Sequence, residues 1–446
     1  VQIPPGQNNH PQPTSWLHPD NPAAISNHVL NSGEPDMSDS TKTTAGIRSK
    51  PLLSAIGLLT LAAGYTPATQ AGATFKIDDT KWVSIGAGLR SSFQAAESGA
   101  GASGNKWSND FNLDNIRLYL NGQIHKYLKV EFNTDCQTCS NGGEVRVLDA
   151  IGKIEYNPYV NLWVGRMLVP AERREMNGPF YSAIYNIFSS GTPFEPADYN
   201  LTIKSDGTSA GSFGRDDGAT FWGAAFNGRL QYAVGFFRGL RGGANVDDNI
   251  LYSQRFAYNF WDVEKNPGYY TSGTYYGKGG DILTVAVSNQ YQEDGAGTAL
   301  DHGNFRGTAV DLLMEKVLPN NAVVTVNGEY KNYGISGGYS QASRNAGGGF
   351  SMFEGNAYDV SGMYLFPQKV GIGLVQPYVR YVNVMPGGSS SRNSYEGGLN
   401  YVIDGHNAKV SLSWEYGDLM TKGLNYTSTA TGVNTNAVKL GFQWQI

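Results

Sequence analysis

A chain of 446 residues in which 12% are aromatic and only 16% charged carries too much apolar ring surface to stay disordered. It has no run of about 18 or more apolar residues, which excludes a helical membrane protein, and a formal net charge of -5 speaks against nucleic acid as a partner. Low charge together with 57 glycines and 27 tyrosines suits an all-β barrel wall that alternates apolar and polar side chains.

Residues 1–36 are rich in Pro, Asn and His and lack periodicity, so disorder is expected there. Lys42, Arg48 and Lys50 then precede an apolar run, Leu52 to Ala63, that gives way to small residues ending at Ala73. That order describes a secretory signal peptide over 37–73, and the run is too short for a membrane helix. Such a segment starts near an initiator, so Met37 is expected to be the start, 1–36 an upstream translation artefact and 74–446 the mature chain.

From Lys81 onward the chain alternates with period two, the spacing of a strand with two different faces. In Lys81 to Gln94, Val83, Ile85, Ala87, Leu89 and Phe93 oppose Ser84, Gly86, Gly88, Arg90 and Ser92. In Phe111 to Ile124, Ile116, Leu118 and Leu120 oppose Asn115, Arg117, Tyr119 and Asn121. Leu128, Val130 and Phe132 follow against Lys129, Glu131 and Asn133, and a fourth strand covers Glu144 to Tyr156. The fifth, Val160 to Val169, is apolar on both parities and leaves its faces undecided.

No alternation is visible from Pro170 to about Gly218, and a loop this long in a compact domain is functional or disordered. The pattern returns in Ala219 to Asn227, turns at Asn227-Gly228, the strongest short hairpin signal, and continues in Leu230 to Leu240 and Asn249 to Trp261. Further strands are expected over Asp281 to Gln292, Asn304 to Leu318, Val323 to Tyr333, Ala357 to Phe366, Leu374 to Val384, Asn393 to Ile403 and Ala408 to Gly417. The last, Asn436 to Ile446, puts Val438, Leu440, Phe442, Trp444 and Ile446 on one face.

About sixteen strands, joined by short turns at one end and long loops at the other, describe a transmembrane antiparallel β-barrel of the bacterial outer membrane. In hydrocarbon every backbone N–H and C=O needs a partner, so the sheet has to close on itself. A soluble sandwich of this length would need two domains, and no linker is visible. Both termini fall on the periplasmic side, with Asn436 to Ile446 closing the barrel against Lys81 to Gln94.

Four segments, Phe111 to Gly122 around Ile116-Arg117-Leu118-Tyr119-Leu120, Lys129 to Phe132, Asp149-Ala150, and Trp163-Val164-Gly165-Arg166 to Pro170, occur in an order that resembles the amino-terminal half of the phosphate-selective porin O and P superfamily. The resemblance covers 81–188 and is architectural beyond. It implies a sixteen-stranded, homotrimeric outer-membrane porin whose third external loop, within 170–218, folds inward and narrows the pore. Phosphate-selective members carry a dense arginine constriction; here Arg173 and Arg174 stand between Glu172 and Glu175, which fits a neutralised clamp as well as a selectivity ring.

The expected constriction is therefore Arg166, Glu172, Arg173, Arg174 and Glu175, and the expected pore lining Arg90, Arg117, Lys129, Glu131, Glu329 and Lys331, because a lipid-facing Arg or Lys costs roughly 2–4 kcal/mol at mid-membrane. Each of the lining charges has the alternative of a solvated wall residue paired across strands. Cys136 and Cys139 are expected to form a local disulfide in an oxidising envelope; with no further Cys, a zinc site has no ligand set. Trp82, Tyr156, Trp163, Tyr269, Tyr270, Tyr275, Tyr276, Trp414 and Trp444 read as interface girdles, or as ordinary sheet aromatics. No cofactor or metal is implied, and His125, His302 and His406 suggest no shared pocket.

The reading is a passive channel for small polar or ionic solutes, anions including phosphate among them, with outer-membrane lipid and the barrel-assembly machinery as partners, the latter through the closing strand. The alternatives are a barrel that sheathes or anchors a periplasmic or surface partner such as an electron carrier, and, third, a hydrolase, for which no Ser–His pair can be assembled from the sequence.

Overall fold

The computed structural model describes residues 72–137, 144–187, 201–203, 209–211, 214–241, 243–337, 354–422 and 428–446. The chain divides into units 1–64 and 65–446, and the described residues all belong to the second. The expectations for 1–36, for the signal segment as far as residue 71, for Cys139 and for most of 188–213 lie outside them.

The alternating stretches fold into sixteen barrel strands. They are β1 (Trp82–Ala100), β2 (Lys106–His125), β3 (Leu128–Gln137), β4 (Arg146–Glu155), β5 (Asn161–Leu168), β6 (Arg215–Ala225), β7 (Leu230–Phe237) and β8 (Leu251–Asn259). β9 (Ile282–Thr298), β10 (Asp301–Val317), β11 (Val323–Ser336), β12 (Gly355–Leu365), β13 (Gly373–Pro386), β14 (Arg392–Asp404), β15 (Ala408–Gly417) and β16 (Thr435–Gln445) complete the set. Each pairs antiparallel with the next, and β16 pairs with β1 from Gly88 opposite Gln445 to Ala96 opposite Ala437. The sheet is therefore closed, and no barrel strand is left with an open edge.

The two faces of the wall differ as the alternation requires. In β8, Tyr252, Phe256 and Tyr258 face outward and are 48%, 44% and 39% exposed, while Ser253, Arg255 and Asn259 face inward and are buried. β16 presents Val438, Trp444 and Ile446 outward and buries Gln443 completely. Outward side chains of this kind form an apolar coat of the sort that suits a hydrocarbon layer.

One irregularity keeps that coat continuous. Arg90 lies opposite Asn115 but Ser91 lies opposite Leu113, which leaves Asp114 as the extra residue of a β-bulge. Phe111 and Leu113 face outward before it on odd numbers, Ile116, Leu118 and Leu120 after it on even ones, and all five are exposed. Without the bulge one of the two sets would point into the barrel.

At the end where β1 begins and β16 finishes, six of the seven connections are short, among them the Asn227-Gly228 turn, whose φ values of 58° and 88° suit that pair. The seventh, 260–281 between β8 and β9, is long and contains no strand or helix. It turns into the barrel.

Candidate functional site

After β5 the chain does not leave the barrel. Val169 to Ile187 stay inside, buried except for the half-buried Tyr181 and Asn186, with one short helix, α1 (Arg173–Asn177). A polar backbone held this deep needs partners on the wall, and the inward parity of β8 to β13 supplies them. Arg173 N–H donates to Asp311 Oδ2 at 3.1 Å and Arg174 N–H to Glu329 Oε2 at 3.2 Å, so two carboxylates satisfy the first turn of α1.

The side chains bind as firmly. Arg173 forms a bidentate pair with Glu264, at 2.7 and 2.8 Å, and its Nε lies 3.4 Å from Asp311. Arg174 pairs with Glu329 at 2.9 Å and with Asp359 at 2.6 Å. Lys331 meets Glu172 at 2.5 Å. Arg380, on β13, holds Asp359 at 2.6 Å and also donates to the carbonyls of Asn186 and Ile187, at 2.8 and 3.2 Å. Arg255 pairs with Asp311 and donates to Ala171 O at 2.9 Å.

The second inward segment, 260–281, is pinned by Glu315 of β10. Its carboxylate accepts from Thr274 Oγ1 at 2.7 Å, Tyr275 N–H at 3.0 Å and Gly277 N–H at 2.7 Å. Burial alone would push the Glu264 carboxyl up, but the adjacent Arg173 guanidinium overrides it and brings it down to about 2. The same pair holds Arg173 protonated against its own burial. Glu264 and Arg173 are therefore both charged at any ordinary pH.

The expected constriction residues Glu172, Arg173, Arg174 and Glu175 are buried inside the barrel, and Arg166, half-buried, reaches Asp217 at 3.5 Å. Glu329 and Lys331 join Glu172 and Arg174 in one network. The other expected lining residues also point inward but sit elsewhere on the wall: Arg117 pairs with Asp135 at 2.8 Å, Lys129 with Glu155 at 2.5 Å, and Glu131 with Lys153. Cys136 is fully buried.

Asp311, Asp359, Arg255 and Arg380 were legible as inward charges by the same parity that picked out Glu329. Glu264 had no such signal, because its segment is not a strand. The girdle reading needs correction for the same reason. Tyr269, Tyr270, Tyr275 and Tyr276 lie on the inward segment, and Trp163, 1% exposed, packs inside against Trp222, Tyr269 and Tyr270 at centroid distances of 5.5, 5.2 and 5.5 Å. Tyr156, Trp414 and Trp444 do face outward, 65%, 47% and 46% exposed.

A Ser–His contact exists after all: Ser272 Oγ lies 3.0 Å from His406 Nε2. That nitrogen is also 2.9 Å from Thr274 O, which requires it to carry the proton, and the hydroxyl points to Thr274 O at 2.8 Å. Burial and then the charge of Lys409 lower His406 to about 3, so it is neutral. With its proton on the serine side, the ring cannot accept the hydroxyl proton of Ser272.

Three inward cations differ from the rest. Arg90 of β1 donates to Asn115 Oδ1 at 2.8 Å and to Tyr185 O, with its guanidinium 4.0 Å from the Tyr185 ring centroid. Lys409 of β15 donates to Ser182 O at 2.6 Å and Lys439 of β16 to Asn186 Oδ1 at 3.2 Å. Among the described residues no carboxylate lies within ion-pair distance of any of the three. Arg90 repels both lysines, and Asp114, Glu396 and Glu415 act on Lys439 only from further off.

No family model matches the chain, and no curated protein matches it. Among solved structures it is similar to an anion-selective porin from Comamonas acidovorans, with 14% identity over 82% of this chain and 100% of that one and a TM-score of 0.54. It is also similar to OmpF of Salmonella typhi in complex with daunomycin, with 14% identity over 84% and 100% and a TM-score of 0.52. At this identity the likeness is one of fold: a porin-type barrel. The resemblance to the phosphate-selective superfamily rests on its four motifs alone.

Proposed function

We propose that this chain is a bacterial outer-membrane porin through which small polar or ionic solutes diffuse passively, with anions preferred. The observation that carries the reading is the two-faced wall: an apolar outer coat around a closed barrel whose inward parity is lined by charge. Preference for anions is supported by Arg90 and Lys409, both buried, and the half-buried Lys439, none of which has a carboxylate within ion-pair distance among the described residues. The wider proposal includes export by the 37–73 segment, insertion by the barrel-assembly machinery through β16, and a homotrimer.

The sheath alternative loses ground because the space inside the barrel is taken by segments of this same chain. Single-channel recording in planar bilayers with asymmetric KCl, repeated with phosphate, tests the channel. A stable conductance with an anion-directed reversal potential is expected, moving toward cations in the triple variant Arg90→Gln, Lys409→Gln, Lys439→Gln. Folded protein that gives no stable conductance under any condition would overturn the reading.

A further inference from the structure

The two inward segments come from opposite ends of the barrel and are bonded to each other. Thr271 N–H donates to Met176 O at 3.2 Å, Gly273 N–H to Tyr181 O at 2.9 Å and Thr271 Oγ1 to Arg173 O at 3.0 Å. Arg173 adds its bidentate pair with Glu264 and a further bond to Ser272 O at 3.0 Å. Together they cover a ring of wall side chains that are polar yet dry: Asn259, Thr284, Glu315, Thr325, Gln376, Asn400 and Lys409 are each 0% exposed.

Polar side chains on an inward parity suit a wet lumen, whereas a permanent interior is filled with apolar groups, because dry polar groups stabilise little even when bonded. The cover itself is irregular, with apolar residues such as Met176, Phe180 and Tyr269 set among polar ones. Residues 260–281 belong to no ladder, and Glu315 holds them by single hydrogen bonds near Gly277, Gly279 and Gly280, where the segment returns to the wall. A piece of chain bonded in this way can leave without disturbing any strand pairing.

Resting on the channel reading above, we propose that residues 262–280 are a plug that closes the pathway from the end where the termini lie, and that the Arg173–Glu264 pair is the latch fastening it to the loop inserted from the other end. The structure is then the closed state. Conduction requires the plug to withdraw toward its own end of the barrel while the segment around α1 stays on the wall through Asp311, Glu329, Asp359 and Arg380.

Two variants of the full chain test this in planar bilayers, each first checked for heat-modifiable migration as a folded barrel. Glu264→Gln releases the latch and leaves Arg173 its Asp311 partner; the open fraction is expected to rise at least fivefold. The pair Ser182→Cys with Gly273→Cys, with Cys136 and Cys139 replaced by serine, joins the two segments, since a Cβ on Gly273 stands 3.3 Å from the Ser182 α-carbon and needs only a small shift to clear Ala183 N at 2.9 Å. The oxidised form is expected to stay closed and to conduct once reduced. Unchanged gating in Glu264→Gln, with equal conductance of the oxidised and reduced pair, overturns the plug and leaves the channel standing. Folded variants that never conduct, reduced or latch-free, overturn the channel reading and the plug with it.

Discussion

Gly268 lies against the indole of Trp163 so closely that a methyl group on its α-carbon would stand 2.4 Å from Cη2 and 2.5 Å from Cζ2 of the ring. Its φ of 62° is in the left-handed region, where a side chain costs roughly 1–2 kcal/mol by itself. Gly268→Ala is therefore expected to push the inward segment off Trp163 and break the cluster with Tyr269 and Tyr270. Near-ultraviolet circular dichroism reads the loss of aromatic coupling and thermal melting the loss of stability. A variant with the native spectrum and melting point would show that the ring and the segment do not constrain each other.

Arg173 and Arg174 neutralise four wall or plug carboxylates: Glu264, Asp311, Glu329 and Asp359. Replacing both by Gln leaves buried negative charge inside the barrel, and a single broken buried pair costs roughly 3–5 kcal/mol. The double variant is expected to unfold at lower temperature and to shift the reversal potential toward cations. If the potential stays where it is in the native protein, the two arginines lie off the solute path.

His406 sets an acid limit on the plug. Its folded value of about 3 lies below the ordinary 6.5, so the folded state resists the proton that the unfolded chain accepts. Its stability is whole above pH 6.5 and falls from there down to about 3, by at most roughly 1.4 kcal/mol per pH unit. Lys409 and Lys278 are the cations that face it, and the rings of Tyr181 and Tyr276 flank it. Glu264, also held down, loses its contribution only between 4.5 and about 2, so it does not act in the interval from 6.5 to 4.5. Across that interval the melting temperature of His406→Gln is expected to gain on that of the native protein as the pH falls; parallel curves would show that the imidazole carries none of the pH dependence.

The barrel was legible in the sequence because its physics is local. A residue of β8 faces outward or inward according to its number alone, and Tyr252, Arg255 and Phe256 obey that rule. β5 resisted it for a reason now visible: Trp163, Met167 and Leu168 are covered by the inward segments, so apolar residues stand where a wet wall would need polar ones. The two inserted segments were legible only as an interruption in one case and not at all in the other. What fixes Arg173 is Glu264 and Asp311, ninety-one and one hundred and thirty-eight residues away, and no spacing rule connects them.

The ties of Val169 to Ile187 also bear on the stiffness of the barrel. Tyr185 donates to the backbone of β1 at Ser91 O, 3.0 Å away, while Arg173, Arg174 and the carbonyl of Asn186 are held on β10 to β13. Gripped from both sides, the segment braces β1 against the far wall, so two arcs of the barrel bear on one internal strut.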